Sequence, residues 1–521
     1  MKKTNNKIKI LLTAVMLFLV CACSPDTDYP VLEPYPKDPG GTYLGEKIDN
    51  PYSLDNMKKA LSSLQQAGQL SGNVSIAPTH LYIKLTPQDS TELNRILEDT
   101  TLNLFPYPLD YKLEGEGPYV APVGTEADLY TVIPIDHDMN GIPYVLIEEC
   151  FIPEDEDHEL AKLELESMKL TGNITESEIL QLEMEETKGL WKKPRGRVAV
   201  YNTKSEELQG VSGVKVLVSW CVKIASTYTD EYGNYRINRG YLFDVHYFAI
   251  FRNQEGFSLY SNWGFLLPAI HHVGRHNRRG YDIHIGTGSQ AWPWATINNA
   301  AHVFYNDMCS SFQINKPHSD LRIWYWDARN DESTGAAPML QHVVYDTTSL
   351  SGLLLALGIS QPFLITGLPD LFLFQQRERA TENYYRTVFH ELSHAAHFKQ
   401  VGSLYWATYI YQICQNSLGG SLYGTEPNGN NEIVGVGEMW GYYFDYKCHK
   451  SHFNIDELRK QTEWFKPQIL KEIEEETGLT PAEIFMAFTS DVCKHEELRE
   501  KLKELYGHDD IIDACFARHG F

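Results

Sequence analysis

Ala380-Thr-Glu-Asn-Tyr-Tyr-Arg-Thr-Val-Phe-His390-Glu391-Leu-Ser-His394-Ala-Ala-His397-Phe-Lys-Gln-Val401 is the stretch from which the rest of the chain can be read. It holds no Pro or Gly and stops at Gly402, so it reads as one helix. Two His four residues apart project from the same helix face, and their nitrogens can share one ion. Neutral imidazole suits zinc, and three protein ligands leave a fourth position for water. Glu391, between the two His, is placed to take a proton from such a water. Val388, Phe389, Leu392, Ala395 and Ala396 make the helix apolar on several faces, which predicts burial. Two His and a Glu buried without partners are costly, and a metal removes that cost. His158-Glu159-Leu-Ala-Lys162 and His495-Glu496-Glu-Leu-Arg499 match only the first half of the pattern and lie in highly charged stretches.

A third ligand has to come from elsewhere. Glu426, Glu432 and Glu438 compete. Glu426 and Glu432 lie in a loop-like run where a solvated carboxylate needs no explanation. Glu438 stands in Val434-Gly-Val-Gly-Glu-Met-Trp-Gly-Tyr-Tyr-Phe444, the most apolar stretch downstream, where a lone carboxylate calls for compensation. Glu438 is therefore the preferred ligand. His397 follows His394 by three on the same face. One straight helix seldom wraps an ion with three ligands, so His397 reads as a support for the ligands. Tyr442, four after Glu438, is a candidate oxyanion donor. Asp445, seven after Glu438, is a candidate for orienting a ligand His.

Working outward, the fold class expected is α+β in several domains. Residues 261–521 form the block that holds this helix, mainly helical after 380. Strands are expected at Asp320–Trp326 and Phe363–Thr366, and a capped helix start at Thr480-Pro-Ala-Glu483. Residues 193–260 read as β: Val214, Val216 and Val218 alternate along a strand, and Asp230-Glu-Tyr-Gly233-Asn is turn chemistry between two strand-like runs. Residues 48–192 form a mixed α/β region. Helices are expected near Leu54–Ala67 and after Ser90, and strands at His80–Leu85, Tyr130–Ile135 and Tyr144–Ile147. The acidic run 155–190 reads as a solvated helix face.

The N-terminus carries a different signal. Lys2, Lys3, Lys7 and Lys9 precede an apolar run from Ile10 to Val20, a secretory pattern too short for a spanning helix. Residues 1–22 are expected to be removed, leaving 23–47 as a Pro-, Gly- and Asp-rich tether. The 521 residues carry a net charge of −24, and that field disfavours a nucleic-acid partner. Apart from Cys21 and Cys23, seven scattered Cys form no CxxC pair, so a thiolate zinc site is not expected.

These residues support three resemblances. The segment His390–His394 with Glu438 resembles the gluzincin group of zinc metallopeptidases. Gln400 occupies the position where a third His would mark a metzincin. Tyr442 stands where gluzincins often carry an Asp. Residues 193–260, with Thr229-Asp-x-x-Gly-x-Tyr235, resemble the carboxypeptidase regulatory-like β-sandwich, in which that segment closes a hairpin and buries the aromatic. Val20-Cys-Ala-Cys23 resembles a bacterial lipobox with Cys23 lipidated. The Ser-Pro-Asp-Thr-Asp that follows is similar to the export tag of Bacteroidetes-type surface lipoproteins. Together they imply an exported enzyme, lipid-anchored at an outer membrane or cell surface. It would hydrolyse protein or peptide with Zn2+ held by His390, His394 and Glu438, Glu391 as base and Tyr442 as helper. The alternative is a non-catalytic adhesion or nutrient-binding lipoprotein with an inert zincin-like block. Metal content separates the two.

Overall fold

The computed structural model describes residues 40–521, except 71–73, 89, 121–127, 155–156, 185–190, 262–266, 328–333, 347–368, 376–379, 419–422, 424–426, 428–430 and 460–463. The leader, Cys23, the tether up to residue 39, the expected strand Phe363–Thr366 and Glu426 lie outside the described residues. The fold is mixed α+β with several sheets and a mainly helical C-terminal region.

The N-terminal part pairs β1 (Tyr43–Lys47) with β3 (Tyr111–Glu114). A three-stranded antiparallel sheet runs in the order β4 (Leu129–Pro134), β2 (His80–Leu85), β5 (Val145–Cys150). Helix α1 (Leu54–Gln66) starts at Ser53, whose hydroxyl accepts from the Asn56 amide. It is followed by α2 (Ser90–Glu98), α3 (His158–Leu170) and α4 (Glu176–Met184).

The acidic run departs from its expectation at one residue. Glu164 on α3 is buried, because three donor groups make four hydrogen bonds to its carboxylate. Lys223 Nζ reaches both oxygens at 3.0 Å, the Tyr52 hydroxyl donates at 2.6 Å and Trp191 Nε1 at 2.8 Å. A buried charge persists only when paired and hydrogen-bonded in this way. Lys223 belongs to the central sheet, so the pair fastens α3 to it.

The central strands are β6 (Arg195–Asn202), β7 (Glu207–Gly210), β8 (Val214–Trp220), β9 (Lys223–Tyr228), β10 (Asn234–Arg236), β11 (Val245–Asn253), β12 (Ser258–Ser261), β13 (Ile270–His276) and β14 (Ile283–Ile285). Val214, Val216 and Val218 face the large core that contains the helices, while Leu217 between them faces the N-terminal core. Period-two alternation thus places one sheet between two cores.

The Asp230 turn does not close a hairpin. β9 pairs with β8, whereas β10 pairs with β6, so the turn carries the chain from one sheet to another. Asp230 Oδ1 accepts from the amides of Tyr232 and Asn234, and Gly233 takes φ +83°. Tyr235 is buried, as its position predicts.

The sheets also continue past residue 260. β14 pairs with β6, and β13 with β11. β12 runs parallel to β15 (Arg322–Asp327), which runs parallel to β17 (Leu371–Gln375). The short β16 (Thr334–Ala336) lies antiparallel to β17 at the sheet edge. Helices α5 (Trp292–Val303), α6 (Leu340–Asp346), α7 (Thr381–Val401), α8 (Ser403–Leu418) and α9 (Glu432–Phe453) pack on this scaffold. Four shorter helices close the chain: α10 (Gln468–Thr477), α11 (Pro481–Met486), α12 (His495–Tyr506) and α13 (Asp509–Arg518). Thr480 and Glu483 form the expected reciprocal cap at the start of α11. Among the described residues, no helix is long and apolar enough to cross a membrane.

Candidate metal centre

Helix α7 is buried over almost its whole length because its apolar residues surround the helix rather than forming one stripe. Its partner α9 is buried in the same way. Trp440 on α9 donates from Nε1 to the Ser393 carbonyl on α7 at 3.1 Å, which sets the register of the pair. Ser393 Oγ donates to the Phe389 carbonyl one turn back.

In this register His390, His394 and Glu438 converge, with 1%, 2% and 1% of their surfaces exposed. His390 Nε2 and His394 Nε2 are 3.1 Å apart. Glu438 Oε2 is 3.4 Å from His390 Nε2, and Glu438 Oε1 is 3.6 Å from His394 Nε2. Ligands at 2.0–2.1 Å around a tetrahedral ion stand about 3.3 Å from one another. The three observed edges bracket that value, so these residues fit a metal ion, with zinc compatible. Burial pushes the Glu438 carboxyl up, but His394 and His390 outweigh it and hold the group well below the ordinary carboxylate range. The Tyr409 hydroxyl on α8 donates to Glu438 Oε1 at 2.7 Å.

Asp445 lies behind this triangle. Its Oδ2 is 3.1 Å from His390 Nδ1, and its Oδ1 is 3.3 Å from Arg386 Nε. Arg386 also donates to the Glu457 carbonyl. Burial raises the Asp445 carboxyl, but Arg386 and His390 pull it below its usual range. An ionised Asp445 accepts a hydrogen bond from the Nδ1–H of His390 and leaves its Nε2 as the metal-facing lone pair.

Glu391, next to His390 in the chain, is fully buried. The backbone of β16 crosses over it: a Cβ built at Gly335 would overlap Glu391 Oε1 and lie 2.9 Å from its Cγ and Cδ. Tyr442 packs its ring 4.5 Å from that of His390 and faces Phe465 on the other side.

His397 stands apart from the group. Tyr405, Trp406, Phe485 and Phe488 surround its ring, and neither nitrogen has a hydrogen-bond partner among the described residues. Burial, with a smaller push from His394, lowers its pKa to about 3. It packs near the ligands without bonding to them, so its place is not the supporting one read from its spacing. Glu432 begins α9 and faces His495, Oε2 to Nδ1 at 4.0 Å, away from the triangle.

Three contributors escape the sequence reading. Arg386 and Tyr409 give no local sign of their partners. Gly441 gives one, since glycine inside a helix costs roughly 1 kcal/mol and needs a reason. A Cβ there would sit 2.8 Å from His394 Cε1, 2.9 Å from His390 Cε1 and 2.9 Å from His394 Nε2. The bare backbone of α9 is what lets both imidazoles approach Glu438. A scan of protein-family models and a search of curated proteins return no match to this chain.

Proposed function

We propose that the protein is a zinc-dependent metallopeptidase of the gluzincin type, exported and lipid-anchored through Cys23, acting on protein or peptide. The observation that carries this reading is the buried triangle of His390, His394 and Glu438, with Asp445 on His390 Nδ1 and the buried Glu391 next to His390 in the chain. His390, His394 and Glu438 would hold the ion. When bound, zinc supplies Lewis acidity that lowers the pKa of water to about 7 and polarises a carbonyl.

The remaining roles belong to the chain. Asp445, kept ionised by Arg386, fixes the ring of His390. Tyr409 holds one oxygen of Glu438, which restricts the rotation of that carboxylate. Glu391 accepts the proton of the attacking water and returns it to the leaving amine. Tyr442, packed on His390, is assigned to steady the developing oxyanion. With Glu391 wholly buried, a substrate reaches it only after a covering element moves; β16, an edge strand paired at three positions, lies against it at Gly335.

The same burial favours a second reading, an inert zincin-like block in a lipid-anchored adhesion or nutrient-binding protein. Glu391→Gln tests the choice on zinc-loaded protein with a denatured protein substrate. Unchanged zinc content with loss of cleavage supports the peptidase. Equal cleavage by variant and wild type removes Glu391 from the mechanism. A zinc-loaded wild type that cleaves nothing leaves the inert reading.

A further inference from the structure

A second group of metal-ligating side chains lies in the C-terminal region and shares no residue with the first. His318 and Asp320 occupy the turn before β15, and His342 lies on the first turn of α6. One ligand atom from each lies within 4.8 Å of the others. The rings of His318 and His342 are 4.5 Å apart, and both pack on Phe398 near the end of α7.

The decisive member is His342. Its Nδ1 is 2.8 Å from Oδ1 of Asp370, a fully buried carboxylate whose other oxygen accepts the Arg322 amide at 3.0 Å. Its Nε2 is 3.2 Å from Asp320 Oδ1. A neutral imidazole carries one N–H. Given to Asp370, that proton leaves a lone pair on Nε2 aimed at a carboxylate oxygen, and two acceptors face each other. A cation between them resolves the conflict. A proton would satisfy His342 and Asp320 alone, but it makes no use of the His318 nitrogen that lies within the same group. A metal ion uses all three. A buried carboxylate on the distal nitrogen of a ligand His is the usual support of a metal site. Lys399, the nearby cation, is engaged elsewhere: its Nζ donates to the carbonyls of Lys316 and Pro317.

We propose that His318, Asp320 and His342 bind a second divalent transition-metal ion, with zinc the natural occupant of two imidazoles and a carboxylate. The His342 Nε2–Asp320 Oδ1 edge of 3.2 Å already matches the roughly 3.3 Å edge of a tetrahedral ion, and Asp320, whose side chain is 66% exposed, has room to adjust toward His318. The solvent side then keeps the fourth position for water.

The site has a mechanical consequence. Only Ala337–Met339 separate β16 from α6, and Trp406 Nε1 already holds this link through the Ala337 carbonyl at 2.9 Å. A metal on His342 would tie α6 to the entry of β15 and so fix the strand that crosses Glu391. This is a positioning role with no part in the chemistry of the first site.

The test is zinc stoichiometry on the chelator-stripped full chain, with Co2+ as a spectroscopic probe. Wild type is expected to bind two equivalents. His342→Ala, and separately the more exposed pair His318→Ala with Asp320→Asn, should each bind one. His390→Ala with His394→Ala should also keep one, and that remaining one should vanish when His342→Ala is added. Asp370→Asn should retain the second ion about 10- to 100-fold more weakly. A wild type that binds a single equivalent, lost with His394→Ala and untouched by both second-site variants, overturns this site and leaves the first. A single equivalent lost with His342→Ala alone upholds this site and overturns the first.

Discussion

Gly441 shows how much can depend on an absent atom. Alanine normally improves a helix interior by about 1 kcal/mol over glycine. Here the added methyl meets His390 Cε1, His394 Cε1 and His394 Nε2 at 2.8–2.9 Å, so the rings or α9 must give way. Gly441→Ala is therefore expected to weaken zinc at least tenfold in chelator competition. Asp445→Asn should do so by about 10- to 100-fold, because His390 then loses the acceptor that selects its tautomer. Unchanged affinity in both variants would mean that the His390–His394–Glu438 triangle is not the metal site. Residue identities at this scale were legible where chemistry and spacing coincide. His390, Glu391 and His394 announce themselves, and Glu438 stands out as a carboxylate in an apolar stretch. Arg386 and Tyr409 do not, because their meaning arises only when α7, α8 and α9 meet.

Among elements, β16 is the one to probe. It is three residues long, ends the sheet, and places the backbone of Gly335 against Glu391. Its sequence, Thr-Gly-Ala, offers neither alternation nor β-branched enrichment, so pattern reading passes over it. Gly335→Ala should leave zinc content intact and cut turnover about 10- to 100-fold by displacing the Glu391 carboxylate, a shift of the size that costs that much in well-aligned sites. Normal turnover in that variant would show that Glu391 is not held in its working position by β16. By contrast, α7 and the cap of α11 were legible as elements, since each combines a clean hydrophobic run with a recognisable end. The Asp230 turn was legible as a turn, but its partners were not. Turn chemistry sets the local backbone and does not choose which strand the next one joins.

For the whole molecule, the sequence could not show that one sheet serves two cores. The pairings that join residues 193–260 to 270–285 and 322–375 are long-range, and no local pattern encodes them. That architecture buries His272 and half-buries His246 between β11 and β13, and the helical half buries His397 and His449. Burial is the main cause holding all four below the ordinary imidazole value. His246 and His397 are lowered to about 3, and His272 and His449 to about 4. The unfolded chain takes up protons on these groups near pH 6.5, while the folded chain refuses them until far lower. Stability from them is thus complete above about 6.5 and is lost as pH falls toward the folded values. For His397 alone, the loss at pH 5 is about 2 kcal/mol at 1.36 kcal/mol per unit. Melting temperature should therefore drop as pH falls from 6.5 to 5, above the range in which ordinary surface carboxylates titrate. A thermal-denaturation series on the zinc-free chain measures this, and His397→Leu should flatten the slope by its one-proton share. A melting temperature that holds level down to pH 4.5 would mean that these rings take up protons while still folded, and that the two cores are more open to water than their packing implies.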